Sequence, residues 1–300
     1  MIRIALLAAA ALSLALPADA QDKVPDAKGD QSDIIVNGRR DRDRDKQVET
    51  FVKSLAPTGD SGQLARWNGQ ACVAMVGLWP ERRAYLLDRI GAVAKLLDVS
   101  YKQAPKCAPN TLIVFTTDAD KFAADAVDKY PDLVRNGMYG RPSRKELARY
   151  VAPRPVRWFT INMPTMADGQ RVGSMDADGK VDVEPTIIPA SRIRTRIRMN
   201  TFGGLIVVDE GKVGGIKWPQ LADYLAMVMF AQPQIDGNFA GADSVMAIFA
   251  ARDAGKPGPA GLTPQDRSFL TALYRTDADL TASQQRGVIG DKVKKTFKAQ

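Results

Sequence analysis

The chain has 300 residues, of which 42 are Lys or Arg and 34 are Asp or Glu, so its formal net charge is +8. It contains no His, which excludes Ser-His-Asp and Cys-His catalysis and every zinc site that depends on imidazole. An enzyme of this composition would have to use carboxylates, Lys, Tyr or a Ser-Lys pair. The positive charge favours anionic partners, such as phosphate-bearing headgroups, acidic polysaccharides or an acidic protein.

The first 20 residues have the pattern of a cleavable secretory signal peptide. Arg3 gives a positive start, an uncharged apolar run extends from Ile4 to Leu16, and Ala18-Asp19-Ala20 forms a small-x-small cleavage site. The run is shorter than the roughly 20 residues that a membrane-spanning helix needs, although an N-terminal anchor is the alternative. We expect cleavage before Gln21, no later transmembrane segment, and a periplasmic or secreted protein that seldom meets nucleic acid.

Residues 21–46 are charged and have few apolar side chains, which predicts a flexible leader. One island, Asp33–Arg40, interrupts it, and we interpret this island as a short strand that pairs with the edge of the domain. The island resembles a segment that follows the signal peptide in TonB-dependent outer-membrane receptors. That resemblance suggests an accessory of an outer-membrane system as one possible function. Residues 47–300 are predicted to form a single globular domain.

A strand–helix–strand unit is predicted near the start of this domain. Val73–Leu78 and Thr111–Thr116 are apolar runs of strand length, and Pro80–Leu97 between them is predicted to be a helix. Such a unit places its strands parallel and commonly adjacent, with their starts at the same edge of the sheet. Because Cys72 and Cys107 precede these two strands, we predict a disulfide between them. Two free thiols or a metal site are the alternatives.

Four arginines alternate with other residues before the next long apolar run. Period two places them on one face of an extended strand. This face is either solvated or an anion-binding strip, since Arg binds phosphate and carboxylate bidentately. We take the four as the candidate anion-binding residues: Arg192, Arg194, Arg196 and Arg198.

Just before them, a group of acidic residues around Asp178-Gly179 allows two interpretations. The first is a β-hairpin that turns at these two residues, and the second is a calcium loop with incomplete ligand spacing. The hairpin explains the same residues with fewer assumptions. The acids concerned are Asp176, Asp178, Asp182 and Glu184.

The remaining pattern predicts a mixed α/β, or α+β, fold in which packed helices surround a central sheet. Further strands are expected at Arg157–Asn162 and Leu205–Asp209. The helix after Pro219 is apolar nearly all round and is therefore expected to be buried. The predicted helices are Ala119–Lys129, Arg144–Tyr150, Gln220–Phe230, Ser244–Ala251, one that a Thr263-Pro264-Gln-Asp266 capping box opens, and a last one from Thr281 that ends in a basic tail.

The C-terminal part of the chain resembles uncharacterised exported proteins of Gram-negative bacteria, which are similar to an exported zincin-like family of unknown function. Four segments carry the resemblance, in this order: Gln220–Met227, Ser244–Phe249, Leu262–Asp266 and Phe269–Tyr274. In that family a strand leads to a helix that bears the site, followed by a Ser-Ile/Val segment and a Leu-Thr-x-x-Asp motif. The resemblance implies a degenerate zincin-like scaffold.

The chain departs from this family at the site itself. A zincin helix carries His-Glu-x-x-His, in which two imidazoles hold zinc and the Glu acts as base. This chain has Gln220-Leu-Ala-Asp-Tyr224 instead. We therefore expect no metal and no cofactor, and we interpret Asp223 as a structural hydrogen-bonding group.

These observations favour a non-catalytic binding or accessory protein of the cell envelope, with an anionic component or a protein as its partner. The alternative is an envelope hydrolase that uses carboxylates, with Asp209, Glu210 and Asp223 as candidates. No two of these acids have a spacing that specifies catalysis, so we predict no catalytic residue.

Overall fold

A mostly parallel sheet of six strands lies at the centre of the fold, and helices pack on both of its faces. The computed structural model describes residues 31–55, 63–130, 143–166, 174–175, 181–182 and 197–298. Arg42–Gln300 forms one compact unit. The mixed α/β class predicted from the sequence is confirmed, and the predicted signal segment lies outside the described residues.

The strands are β1 (Arg66–Trp67), β2 (Ala71–Val76), β3 (Tyr101–Gln103), β4 (Thr111–Thr116), β5 (Val156–Met166), β6 (Ser174–Met175), β7 (Val181–Asp182) and β8 (Ile197–Asp209). The helices are α1 (Gln31–Leu55), α2 (Pro80–Leu96), α3 (Ala119–Lys129), α4 (Arg144–Val151), α5 (Trp218–Ala231), α6 (Ile248–Asp253), α7 (Pro264–Arg275) and α8 (Ala282–Lys298). A 3₁₀ turn at Val245–Ala247 precedes α6.

Strands β2 and β4 are adjacent and parallel, as predicted, with Val73 opposite Thr111. Strand β3, which was not predicted, pairs with the other side of β2 and has only three residues, too few to give a pattern. Strand β8 pairs in parallel with β4 and, nearer its start, with β1. Strand β5 pairs with β8 in an antiparallel manner.

The two faces of the sheet have different cover. Alternate residues such as Met75, Phe115 and Val208 point to the larger core, which α1, α2, α5 and α7 complete. Residues of the opposite face, among them Val207 and Phe159, pack against α3 and α4. Helix α5 is buried at every position from Leu221 to Ala231, which confirms the prediction of an enclosed helix.

Helix α1 corrects the interpretation of the island in the leader. The island Asp33–Arg40 is helical instead of forming a strand, and residues 31–46 of the predicted leader belong to α1. Val48, Phe51, Val52 and Leu55 are spaced at i, i+3, i+4 and i+7 and are all buried, so tertiary packing stabilises the helix. The charged residues before them continue a helix that their own composition does not predict.

The predicted disulfide joins Cys72 of β2 to Cys107 in the β3–β4 loop, with Cα atoms 6.0 Å apart. Asn110, in the same loop, reinforces the link to β2. Its side chain accepts the backbone N–H of Cys72 at 2.9 Å and donates to the carbonyl of Gln70 at 2.8 Å. The disulfide and this asparagine therefore fix the amino-terminal edge of the sheet.

Strands β6 and β7 pair in an antiparallel manner, as the hairpin interpretation requires, and the turn at Asp178-Gly179 lies outside the described residues.

The capping box of α7 is also confirmed. The Thr263 hydroxyl accepts the N–H of Asp266 at 3.1 Å, and the Asp266 carboxylate accepts the N–H of Thr263 at 3.0 Å.

Candidate functional site

The connections after β2 and β4 leave the sheet in opposite directions. Helix α2 follows β2 and packs on the larger core, on the way to β3. Helix α3 follows β4 and packs on the opposite face, towards β8 and β5. In open α/β sheets, ligands bind in the crevice that such a reversal opens at the carboxyl ends of the strands. The strand order therefore predicts a binding crevice between the ends of β2 and β4.

Gly77 fixes the path of the chain at this crevice. Its φ is +89°, and a Cβ atom there would lie 2.0 Å from the carbonyl oxygen of Phe115 in β4. Only Gly allows the backbone to cross the end of β4 this closely in a left-handed conformation. After this close approach Leu78 packs against the larger core, and Trp79 follows as the N-cap residue of α2, next to the end of β2.

Trp79 is 77% exposed, although it is the largest apolar side chain type in the chain. The other three Trp side chains are engaged within the fold. Trp67 donates to the carbonyl of Met229 at 3.1 Å and Trp158 to that of Pro233 at 2.9 Å, and both are buried. The guanidinium of Arg82 stacks 4.7 Å above the ring of Trp218. An exposed Trp is unusual when the other three Trp side chains all have contacts within the fold, and exposed Trp residues often anchor a binding partner.

The first turn of α2, which follows Trp79, contains both acidic and basic side chains, and Glu81 is its acid. Arg82 lies in the first turn of α2, and its contact with Trp218 joins the first turns of α2 and α5. Arg83 follows it, and Lys217 precedes α5. The starts of α2 and α5 therefore combine one exposed indole with three cations and one acid, a combination that suits a ligand with a flat face and negative charge.

An ion-pair cluster occupies the next part of the same edge, where β8 ends. The ammonium of Lys212 contacts the carboxylate of Asp209, at the last position of β8, and lies 3.1 Å from that of Asp120 in α3. The guanidinium of Arg157, on β5, also contacts Asp120. Arg157 is fully buried, and its Nε atom has no hydrogen-bond partner among the described residues.

These contacts favour the charged forms of Asp120 and Lys212 and shift the pKa of each. Desolvation acts to raise the pKa of Asp120, but hydrogen bonds and charge from Lys212 and Arg157 outweigh it and hold this pKa below its ordinary value. Hydrogen bonding to Asp209 raises the pKa of Lys212 against the effect of desolvation. Asp209 also accepts the backbone N–H groups of Gly211 and Lys212, at 3.0 and 3.1 Å. The cluster is thus a set of mutually neutralised charges that ties α3 to β5 and β8.

Asp223 has the structural role expected from the sequence. Its two oxygens accept Nε and Nη2 of Arg89 at 2.6 and 2.9 Å, and one of them also accepts the N–H of Leu262 at 2.7 Å. The hydrogen bond to Asp223 raises the pKa of Arg89. Gln220, in the first turn of α5, accepts the N–H of Lys217 at 3.0 Å and donates to the carbonyl of Pro259 at 2.6 Å.

Asp266 is a second buried carboxylate with internal partners. It accepts the hydroxyl of Ser244 at 2.6 Å and the N–H of Val245 at 2.7 Å, in addition to its capping bond with Thr263. Burial raises the pKa of Asp266 despite these bonds. The motifs around Ser244 and Asp266 therefore join the 3₁₀ turn to α7.

The candidate anion-binding strip is only partly described. Arg192, Arg194 and Arg196 lie outside the described residues. Arg198, in β8, forms a two-point ion pair with Asp279, with distances of 2.7 and 3.3 Å, and this pair raises its pKa. Arg198 thus connects β8 to the turn before α8. Glu210 is exposed at the end of β8.

Sequence reasoning did not identify Trp79 or the Arg157–Asp120 pair. The run Trp79-Pro-Glu-Arg-Arg83, which begins three positions after a buried strand, is visible in the sequence and marks the crevice once the strand order is known. Nothing in the sequence pairs Arg157 with Asp120, since they are 37 positions apart and meet only through the packing of α3.

Within the ranges that the structure describes, no group of three or more Cys, Asp or Glu side chains is placed to hold a metal ion. None of the described helices is both long and apolar enough to cross a bilayer. Neither a family model, nor a curated protein, nor a solved structure matches this chain.

Proposed function

We propose that this chain is an exported, non-catalytic binding protein of the bacterial cell envelope, with its ligand in the crevice between the ends of β2 and β4. The single observation that carries this proposal is the position of Trp79, which is 77% exposed directly after the Gly77 crossing. The basic side chains at the starts of α2 and α5 outnumber Glu81, so we expect a negatively charged ligand, in agreement with the net charge of +8.

The partners of the candidate catalytic carboxylates favour a binding function over hydrolysis. A general acid or base must reach the proton that it transfers in a bound substrate. Asp209 contacts Lys212 and two backbone N–H groups, and Asp223 contacts Arg89 and one N–H group. Glu210, the third candidate of the hydrolase hypothesis, is exposed. No observation on the described residues favours the hydrolase.

Export is supported by two independent features. The disulfide between Cys72 and Cys107 is typical of oxidising compartments. The first 20 residues have the signal-peptide pattern. The order β8, α5, Ser244 turn and α7 agrees with the order that the zincin-like resemblance implies, and a zincin-like scaffold stays part of the proposal.

A binding assay with a matched control tests the proposal. The protein is recovered from the periplasm or medium of an expressing bacterium, where we expect Gln21 as the first residue by intact mass. Binding of soluble peptidoglycan fragments, lipopolysaccharide and anionic phospholipid vesicles is then measured for wild type and Trp79→Ala. Leu96→Ala, which removes a 43% exposed side chain at the other end of α2, is the control. We expect only Trp79→Ala to lose binding, by at least about tenfold. Equal loss in both variants, or binding by neither variant nor wild type, would contradict the proposal.

A further inference from the structure

The helices that the structure describes leave one face of strands β3, β2 and β4 open. These three strands are parallel neighbours, and α2 and α5 cover the face that carries Val73 and Ile113. On the opposite face Val76 is 45% exposed and Leu112 is 36% exposed. The register places Leu112 beside Ala74, which is two residues before Val76 on the same face. The open face is therefore apolar over the adjoining parts of β2 and β4.

Helix α3 borders the open face and turns Phe122 towards it. Asp120 lies on one flank of α3, where it contacts Arg157 of β5. With about 3.6 residues per turn, Phe122 lies on the opposite flank, towards β4 and β2, and is 37% exposed. The residues between the two flanks pack with Val207 of β8, and they are Ala119, Ala123 and Val127. Phe122 therefore adds a third exposed apolar side chain beside the open face.

The size of the open face and the direction of its strands favour a helix as its occupant. Parallel sheets occur almost only with both faces covered, usually by helices. The outer two of the three strands are about 10 Å apart, close to the diameter of a helix, and the strand β2 is about 20 Å long, the length of about 13 helical residues. A second copy of the chain would bury only about 200 Å² on a strip of this size, whereas each partner in a stable complex buries about 800 Å². One helix beside α3 fills the strip and also reaches Phe122.

Charges at the two ends of the open face define the direction of that helix. Lys102 of β3 is exposed and points to the open face, because Tyr101 before it packs against the larger core. Lys106 is also exposed and precedes Cys107, which is bonded to the second residue of β2. Both cations therefore lie towards the amino-terminal ends of the strands, whereas the exposed Asp118 follows the carboxyl end of β4. Since a helix is partially negative at its C-terminus and partially positive at its N-terminus, the favoured direction is antiparallel to the strands.

We infer that the open face of β3, β2 and β4 binds one amphipathic helix of a partner protein, which lies beside α3 and antiparallel to the strands. The apolar stripe of this helix contacts Val76, Leu112 and Phe122, and acidic side chains in its last turn meet Lys102 and Lys106. The open face is on the side of the sheet opposite α2. The inference therefore does not depend on the ligand proposed for the crevice at Trp79.

Fluorescence polarisation with two labelled synthetic peptides tests the inference. Each probe has about 14 residues, a Leu stripe at i, i+3, i+4 and i+7 spacing, and a hydrocarbon staple on the opposite face that keeps it helical. The first probe has Glu in its last turn, and the second has the same composition with Glu in its first turn. The protein variants each remove one feature of the open face, and they are Leu112→Gln, Phe122→Gln, and Lys102→Glu with Lys106→Glu. Leu96→Gln and Lys95→Glu are the matched controls, because both change exposed residues of α2 on the other side of the sheet.

We expect saturable binding of the first probe and at least about threefold weaker binding of the second. Leu112→Gln, Phe122→Gln and the double charge reversal should each weaken binding of the first probe at least about fivefold, whereas the two controls and Trp79→Ala should stay within about twofold. Circular dichroism and the melting temperature establish that each variant is folded.

The inference is overturned if the first probe does not bind, if the two probes bind equally, or if the folded Leu112→Gln and Phe122→Gln variants bind as well as wild type. Two other occupants would also overturn it. One is a second copy of the chain, which sedimentation velocity would show as a dimer that Leu112→Gln dissociates. The other is a lipid surface, for which phosphatidylglycerol vesicles would bind with the same dependence on Leu112 and Phe122 while the peptide does not.

Discussion

The buried guanidinium of Arg157 contacts the carboxylate of Asp120, its one carboxylate partner among the described residues, which is about half exposed at the start of α3. A cation removed from water needs such compensation, and breaking a buried pair by removing one partner is strongly destabilising. The carboxylate of Asp120 therefore offsets part of the free-energy cost of burying the guanidinium of Arg157. The pair also fastens α3 across β5, beside the crevice at the end of β4.

Replacing Asp120 with Asn should lower the free energy of unfolding by about 2 kcal/mol, less than for a fully enclosed pair because solvent screens the exposed partner. Urea unfolding at pH 7 measures this change. Asp125→Asn, in the same helix and paired with the exposed Lys121, is the control and should show no measurable change. Equal stability of the two variants would show that Arg157 does not depend on Asp120.

The pH dependence of this pair has a definite sign. The pKa of Asp120 is lower in the folded chain than in the unfolded chain, because Lys212 and Arg157 favour its charged form. Its contribution is therefore complete above the ordinary carboxyl pKa of about 4 and is lost as the pH falls through the folded value. In Asp120→Asn, stability should fall less between pH 5 and pH 3 than in wild type. A parallel loss in both proteins would contradict the assignment.

Removal of the disulfide should destabilise the domain without changing the strand order. In the chain-entropy model a loop of this length contributes about 3–4 kcal/mol. We expect Cys72→Ala with Cys107→Ala to lower the free energy of unfolding by this amount in urea titrations. Intact mass after alkylation under denaturing, non-reducing conditions should show no modified thiol in wild type, and two modified thiols would disprove the bond in solution.

Gly77→Ala should be severely destabilising, by at least about 2 kcal/mol, because its φ is positive and its Cβ would overlap the carbonyl of Phe115. Gly214→Ala is the control, since a Cβ there meets nothing within 4 Å. Thermal unfolding followed by circular dichroism compares the two. If Gly77→Ala unfolds at the temperature of the control, the chain does not cross the end of β4 as described.

Much of this fold is readable from the sequence because its elements are locally encoded. The apolar runs of β2 and β4, the Pro at the start of α2 and the capping box of α7 each specify their own element, and the paired cysteines follow from the strand–helix–strand unit. Helix α1 could not be predicted in full, because the buried stripe from Val48 to Leu55 stabilises charged residues that have no helical pattern of their own. The exposure of Trp79 depends on which way α2 and α3 leave the sheet, a property of the strand order and not of any one segment.

The measurement that tests the account most directly is a ligand titration that follows Trp emission in wild type and in Trp79→Phe. Among the Trp residues that the structure describes, Trp79 is the one with a highly exposed side chain. A ligand in the crevice should therefore change the emission of Trp79 most. With soluble peptidoglycan fragments, lipopolysaccharide or anionic vesicles, we predict a saturable change in wild type for at least one of them. We predict that this change is absent in Trp79→Phe and that the ligand is recovered chemically intact. An unchanged titration in Trp79→Phe, or conversion of the ligand that Asp209→Asn or Asp223→Asn abolishes, would contradict a binding protein with its site at this crevice.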